Sequence, residues 1–172
     1  MANITYANLF SEPRNNVVNL IKDSSNVSDP VISSAEYRKW IYSRFPDVKS
    51  TEFSGYPFIV VRSTDLNTEI PESSADGKSK IVNFDIDIEI YTSDTAYGNM
   101  SGKGLSHMEA ISNDLAETFM NITNRNTLKS YGLAFSTIEP TAISEQELKQ
   151  QKVYQRIFPL TFKNKMQVSS WV

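Results

Sequence analysis

The chain has no cysteine and one histidine, His107, among its 172 residues. Without thiols, disulfides and thiolate chemistry are excluded. With a lone imidazole, a three-histidine zinc site is impossible, and any Ser-His-Asp relay has to run through His107. No apolar run approaches the ~20 residues needed to span a bilayer. Residues 1–10 lack a positive region followed by an apolar stretch, so no signal peptide is expected, and folding in a cytoplasm is. A basic stripe is missing too. Lys and Arg number 17 against 20 Asp and Glu, for a net charge of -3, and the nearest thing to a cluster is Lys163 with Lys165. A protein whose main task is to hold nucleic acid usually carries such a stripe. No internal repeat is apparent.

What is present is ordinary globular composition, 40% hydrophobic and 22% charged, at a length that buries a core without staples. One domain over 1–172 is expected, with an N-terminal arm over 1–12 and a loose tail over 166–172.

Periodicity supplies the elements. Pro13 suits a first helical turn, and Val17, Val18, Leu20 and Ile21 make an apolar stripe, so a helix is expected over 13–23. Residues 24–34 are rich in Ser, Asn, Asp and Pro and read as a loop. Over 35–45, Tyr37, Trp40, Ile41 and Phe45 recur at helical spacing in a composition that also permits a strand. Residues 57–62 (PFIVVR) form a β-branched run with proline at its start, and a polar loop is expected over 63–80. The clearest element is 80–92. There Phe84, Ile86, Ile88 and Ile90 alternate with Asp85, Asp87, Glu89 and Tyr91, a period of two that buries one face of a strand and leaves the other wet.

A glycine-bearing loop over 93–104 precedes an amphipathic helix over about 106–123. Leu105, Met108, Ile111, Leu115, Phe119 and Ile122 make its stripe, and Ser106 with Glu109 suggests a capping box. A short helix over 124–131 is stopped by Gly132. A strand is expected over 133–139. Polar residues follow over 140–152, where Ser144 and Glu147 suit a capped helical turn. The closing strand spans 153–168, and Pro159 within it argues for an edge or a bulge. Together these give an α+β fold: a mostly antiparallel sheet of about four strands, covered on one face by the long helix and the N-terminal helix.

Chemistry is sparse. His107 falls in a helical first turn on what reads as the polar side, where a solvated surface histidine is the ordinary outcome. Asp85, Asp87 and Glu89 share one side of a strand and could bind a cation or work as an acid–base pair in a small metal-dependent enzyme. The plainer account is the solvated face of an amphipathic strand, since neighbours on one face lie about 6.5–7 Å apart. If the protein forms a ring, such a row could instead face a channel and repel passing DNA. The GNMSGKG segment at 98–104 departs from a phosphate-binding loop. Only three residues separate Gly98 from Gly102, and Lys103 is followed by Gly104 where Ser or Thr is required. The Met108–Phe119 stripe reads as core, Trp40 as core or interface anchor, and Trp171 as a loose end or a tail anchor.

The order of segments carries a resemblance. A proline-led strand (Tyr56, Pro57, Phe58, Ile59, Val60, Val61) precedes a polar loop and a long alternating strand over 81–91. One long helix over 105–122 follows, then a Leu-bearing turn (Thr127, Leu128, Gly132, Leu133) and closing strands ending in Ile157, Phe158, Pro159, Leu160, Thr161, Phe162. Over about 4–166 this resembles the phage tail-terminator family, the minor tail protein U type of siphophages, and related head–tail joining proteins. The resemblance implies a small subunit that assembles as a hexameric ring, caps the tail tube, stops its polymerisation and meets the head connector, with DNA passing through the centre. It implies residence in the virion neck and no catalytic residues, metal or cofactor. It makes Asp85, Asp87 and Glu89 channel-facing or interface acids. Its contact loops would be 63–80, 93–104 and 140–151, with Asp65, Glu69, Lys78, Tyr97, Lys103, Glu145, Glu147 and Lys149 in or beside them. A head-closure or tail-tube subunit is the neighbouring alternative.

Overall fold

The computed structural model describes residues 8, 11–23, 26–31, 38–47, 49–51, 53–67, 79–94, 103–148 and 151–167. Within them the period-two segment becomes the centre of a sheet. Strand β3 (Ser79–Ser93) pairs antiparallel with β6 (Gln151–Gln167) through an unbroken register, from Ser79 opposite Gln167 to Ser93 opposite Val153. On its other side β3 pairs with β2 (Phe58–Asn67), with one irregularity between Ser63 and Asp65. The short β1 (Ile41–Tyr42) joins β2 in parallel, and β4 (Ala134–Ile138) and β5 (Ser144–Leu148) both lie along the far side of β6. The strand order is β1-β2-β3-β6-β4, with β5 beside β6.

The fold is therefore α+β as expected, with a mixed sheet of six strands in place of about four, one pair being parallel. The ambiguous 35–45 stretch supplies β1. The expected helical turn at Ser144 and Glu147 is instead strand β5, because Ser144–Leu148 folds back onto Gln151–Gln155 as a hairpin. The 63–80 loop is shorter than expected, since β2 runs on to Asn67 and β3 begins at Ser79. Strand β6 likewise continues to Gln167, into the stretch read as a loose tail. Pro159 does not interrupt it. Thr141 exchanges bonds with Ile157 (Thr141 N to Ile157 O, 2.8 Å; Ile157 N to Thr141 Oγ1, 3.1 Å). Backbone groups alternate sides along a strand, so Pro159, two residues on, turns its missing N–H into the same gap between the β4 and β5 pairings.

Three helices pack on one face of the sheet: α1 (Glu12–Lys22), α2 (Gly104–Met120) and α3 (Ile122–Ser130). Alternation sends Ile59 and Val61 of β2, Phe84, Ile86, Ile88 and Ile90 of β3, and Phe158, Leu160 and Phe162 of β6 to that face. There they meet Val17 and Ile21 of α1 and Met108, Ile111, Leu115 and Phe119 of α2. The long helix ends earlier than its apolar stripe suggests. Asn121 takes extended backbone, and its side-chain oxygen accepts from the Thr123 and Asn124 amides at 2.8 and 3.4 Å, capping α3. Gly132, with φ of 93°, closes α3 in the left-handed conformation that glycine adopts most readily. The Ser106–Glu109 capping box does not form. The N-cap of α2 is Lys103, and the Ser106 hydroxyl donates to the Lys103 carbonyl.

A buried arginine sets the edge of the sheet. The Arg38 guanidinium grips Asp29 with Nε and Nη2 at 2.5 and 3.0 Å and donates to the carbonyls of Gly55 and Pro57. It ties the 26–31 segment to the turn leading into β2. Trp40 is buried beside it, in the core and not at a surface.

Gly104 is required for close approach. A Cβ there would lie 2.8 Å from the Ser93 carbonyl carbon and 2.8 Å from the Tyr154 ring. Helix propensity alone favours alanine by about 1 kcal/mol, but overpacking against backbone costs about 1–3 kcal/mol. Gly104→Ala is therefore expected to lower the urea midpoint, and a raised midpoint would refute the packing account.

Candidate functional site

The second face of the sheet holds the sequence's acidic row, and the structure divides it. At one end an aromatic cluster has formed around Phe58. Tyr91 stacks on that ring at 4.9 Å, and Phe53, Tyr56 and Phe45 stand around it at 5.2 to 5.6 Å. Beside this cluster Glu89 is only 1% exposed, so it is not on a wet face as alternation implied. It is fully engaged. Arg62 Nη2 donates to Oε1, and the Tyr91 hydroxyl donates to Oε2 at 2.5 Å. Gln155 Nε2 in turn donates to the Tyr91 hydroxyl at 2.9 Å. Strands β2, β3 and β6 each contribute to the chain, because Val60 faces Glu89 and Gln155 faces Tyr91 across the ladders. Burial pushes the Tyr91 hydroxyl above its ordinary value, with Arg62 and Gln155 opposing.

The other two acids are half-buried. Asp87 lies opposite Arg62, and Asp85 accepts from the Thr161 hydroxyl at 2.8 Å. Burial raises the Asp87 carboxyl above its usual range, Arg62 opposes, and the Asp85 charge adds to the rise. Arg62 thus serves both Glu89 and Asp87, while Asp85 is held by Thr161. Among the described residues, no group of three His, Asp or Glu side chains could hold a metal ion. Glu89, buried and paired, is unsuited to proton transfer with solvent or to repelling DNA across a channel. Asp85 and Asp87 remain as the accessible part of the row.

The helix start after the glycine-rich segment is already served. The Gly104 amide donates to Asp94 Oδ1 at 3.2 Å, and the Thr92 hydroxyl donates to the Gly104 carbonyl at 2.7 Å. A carboxylate of the chain itself thus sits where a phosphate would be held. Lys103 is exposed at this end. Of the loop residues singled out by sequence, Glu145 pairs with Lys152 at 3.0 Å on the surface. Asp65 and Glu147 fall in β2 and β5 by backbone position. Glu69, Lys78, Tyr97, Lys149 and Trp171 lie outside the described residues. Arg62, Tyr91 and Gln155 were not singled out by sequence. The register of the two ladders was needed to find them, although Arg62 ending a β-branched run was a visible signal.

His107 corrects another expectation. It is 6% exposed on the inner side of α2, and its Nδ1 has no hydrogen-bond partner. Burial lowers its pKa, the Lys103 and Arg38 cations lower it further, and Asp29 opposes. The two faces of the first helical turn could not be told apart from Leu105 and Met108 alone. Leu105 in fact points outward.

Two outcomes are expected. The Arg62→Met variant leaves a buried carboxylate short of a charged partner and loses stability by about 1–3 kcal/mol. Adding Glu89→Gln restores part of the loss, which a double-variant cycle in urea measures. For His107 the folded pKa lies below the unfolded value of about 6.5, so the unfolded state binds more protons in between. Stability is full above pH 6.5 and is lost as pH falls through the folded value. His107→Leu removes that slope, and the lone imidazole resonance in a proton NMR titration gives the folded pKa directly.

No protein-family model matches the chain, and no curated protein matches it.

Proposed function

We propose that this chain is a structural virion protein of a tailed bacteriophage that caps the tail tube as a ring, stops its polymerisation and joins the tail to the head connector. It carries out no catalytic step, and DNA passes it without sequence-specific contact. Its place is the neck of the virion, after assembly in the host cytoplasm.

One observation carries this reading. The three helices cover one face of the sheet, while the other face and both side edges have no helix layer among the described residues. Such a subunit has backbone edges and a broad face available to neighbours. The buried charges Glu89 and Arg38 are meanwhile engaged within the fold, with Arg62 and Asp29 respectively. On the helical layer, Met120 and Ile122 are 65% and 66% exposed around the α2–α3 junction, apolar surface of the kind that protein contacts use. The segment order that resembles tail terminators is consistent with the same reading. Head-to-tail contacts that close by rotation make a ring.

Class-averaged electron images of the purified chain, alone and mixed with tail tubes of the same phage, test it. Rings of about six subunits seated on tube ends, with tubes no longer elongating, are the expected result. Bare tube ends at saturating protein would refute it. Filaments formed by the chain alone would move the assignment to a tube subunit.

A further inference from the structure

We propose that residues 26–31 form a strap over α2 that protonation of His107 loosens, an acid-sensitive latch built into the helical face of the fold.

The strap is held by polar contacts laid along one line of α2. The Asn26 carbonyl accepts from the Thr118 hydroxyl at 3.0 Å, and the Ser28 amide donates to Asp114 Oδ2 at 3.0 Å. Asn124 of α3 adds a bond from its Nδ2 to Asn26 Oδ1 at 3.1 Å. From Thr118 back to Asp114 the helix rises about 6 Å at ~1.5 Å per residue. From Asn26 to Ser28 an extended chain advances about 7 Å at ~3.5 Å per residue. The two advances match, so the strap runs along α2 towards the start of that helix. His107 stands about two turns before Asp114, on the same face. Asp29, the next strap residue, is carried in its direction.

Asp29 is where the strap is tied down. Arg38 grips both of its oxygens, and Asp29 Oδ1 also accepts from the Val31 amide at 3.0 Å. His107 is buried, and its Nδ1 has no hydrogen-bond partner. Three charges act on it: Lys103 from its own helix, and Arg38 and Asp29 from the residues around the strap. The core residues that β3 and β6 pack with α2 carry no charge, Ile88, Ile90 and Phe158 among them. Asp94 and Tyr154 stand at the start of the helix, where Asp94 accepts from the Gly104 amide and from the Tyr154 hydroxyl. In α3, which joins the other end of α2, Arg125 lies over the Phe135 ring.

A proton added to His107 therefore makes a third cation beside Arg38 and Lys103, and the one carboxylate among them is already bound to Arg38. A buried charge needs a partner or water. The imidazolium gains a partner by drawing Asp29 from Arg38, or gains water by leaving the interior, and either step loosens the strap. The closed imidazole titrates below its free value of about 6.5, so the open form binds more protons between the two values. The latch is at full strength above about pH 6.5, and the ratio of closed to open falls tenfold per pH unit down to the closed value.

Amide hydrogen exchange of the full chain, followed by NMR from about pH 8 to about pH 4.5 and corrected for its intrinsic pH dependence, tests the latch. The Ser28 and Val31 amides report on the strap. Exchange through local opening is recognised by its indifference to low urea, which speeds exchange through global unfolding. At both amides locally opened exchange is expected, with protection falling about tenfold per pH unit between about 6.5 and the midpoint of the lone imidazole resonance. His107→Leu is expected to flatten that slope; if it fails to fold, His107→Gln replaces it. Asp114→Asn keeps an acceptor for Ser28 but cannot titrate, and is expected to retain the slope. Strap protection independent of pH, exchange of both amides through global unfolding alone, a slope that survives the loss of His107, or one that vanishes in Asp114→Asn would overturn the inference.

Discussion

The pairing of β3 with β6 is the constraint on which the rest of the molecule depends. Every residue from Ser79 to Ser93 has a partner between Gln167 and Val153. Side chains alternate faces, so a slip by one residue would send Leu160 and Phe158 to the solvent side and Thr161 and Ile157 into the helical core. The register also decides the chemistry of the second face. It sets Gln155 opposite Tyr91 and Thr161 opposite Asp85, and β2 on the other side sets Arg62 opposite Asp87. The Arg62–Glu89–Tyr91–Gln155 chain is thus a consequence of two ladders and cannot form from any one strand.

The two faces are stabilised by different physics. The helical face buries Phe, Ile and Leu side chains, each contributing roughly 1.5–3 kcal/mol when fully withdrawn from water. The other face has no helix layer among the described residues and relies on a local device. Tyr42, Phe45, Phe53 and Tyr56 gather with Tyr91 around Phe58 in an aromatic cluster at one end of β2 and β3. The Arg38 guanidinium fixes the approach to that cluster by holding Asp29 and the carbonyls of Gly55 and Pro57. Buried charge of this kind persists only when its hydrogen-bonding capacity is met. Here several acceptors surround one planar donor group, and Glu89 nearby is likewise met on both oxygens.

Much of the fold was legible in the chain because period two and period three-to-four are strong signals. The Ile-rich strand and the α2 stripe followed from spacing, the Gly132 stop from glycine's preference for helix ends, and the strand expected over 133–139 is observed as Ala134–Ile138. What escaped has identifiable causes. Strand β5 is polar, and its pairing with Gln151–Gln155 is a tertiary fact that Ser144 and Glu147 do not advertise. The break at Asn121 was hidden by Ile122, which continues the apolar stripe yet is exposed. His107 was misplaced because a helical first turn offers too few residues to fix its inner side. The acids were rightly placed on one side of a strand. That side was misjudged as uniformly wet, because Arg62, which pairs with Glu89, and the aromatic residues gathered around Phe58 and Tyr91 come from stretches remote from Glu89 in sequence.

The distribution of charge separates structural from available groups. Arg38, Asp29 and Glu89 are withdrawn and paired. Exposing or removing any of them would disturb the fold before it altered a surface, so they are poor candidates for work on another molecule. Asp94 occupies the start of α2, which removes the one helix terminus that a glycine-rich approach had made suspect. The charges nearer the surface are mixed in sign: Lys22, Lys39 and Arg44 stand around a groove beside β1 with Glu12 and Asp47, and Asp85 and Asp87 are half-buried on the second sheet face.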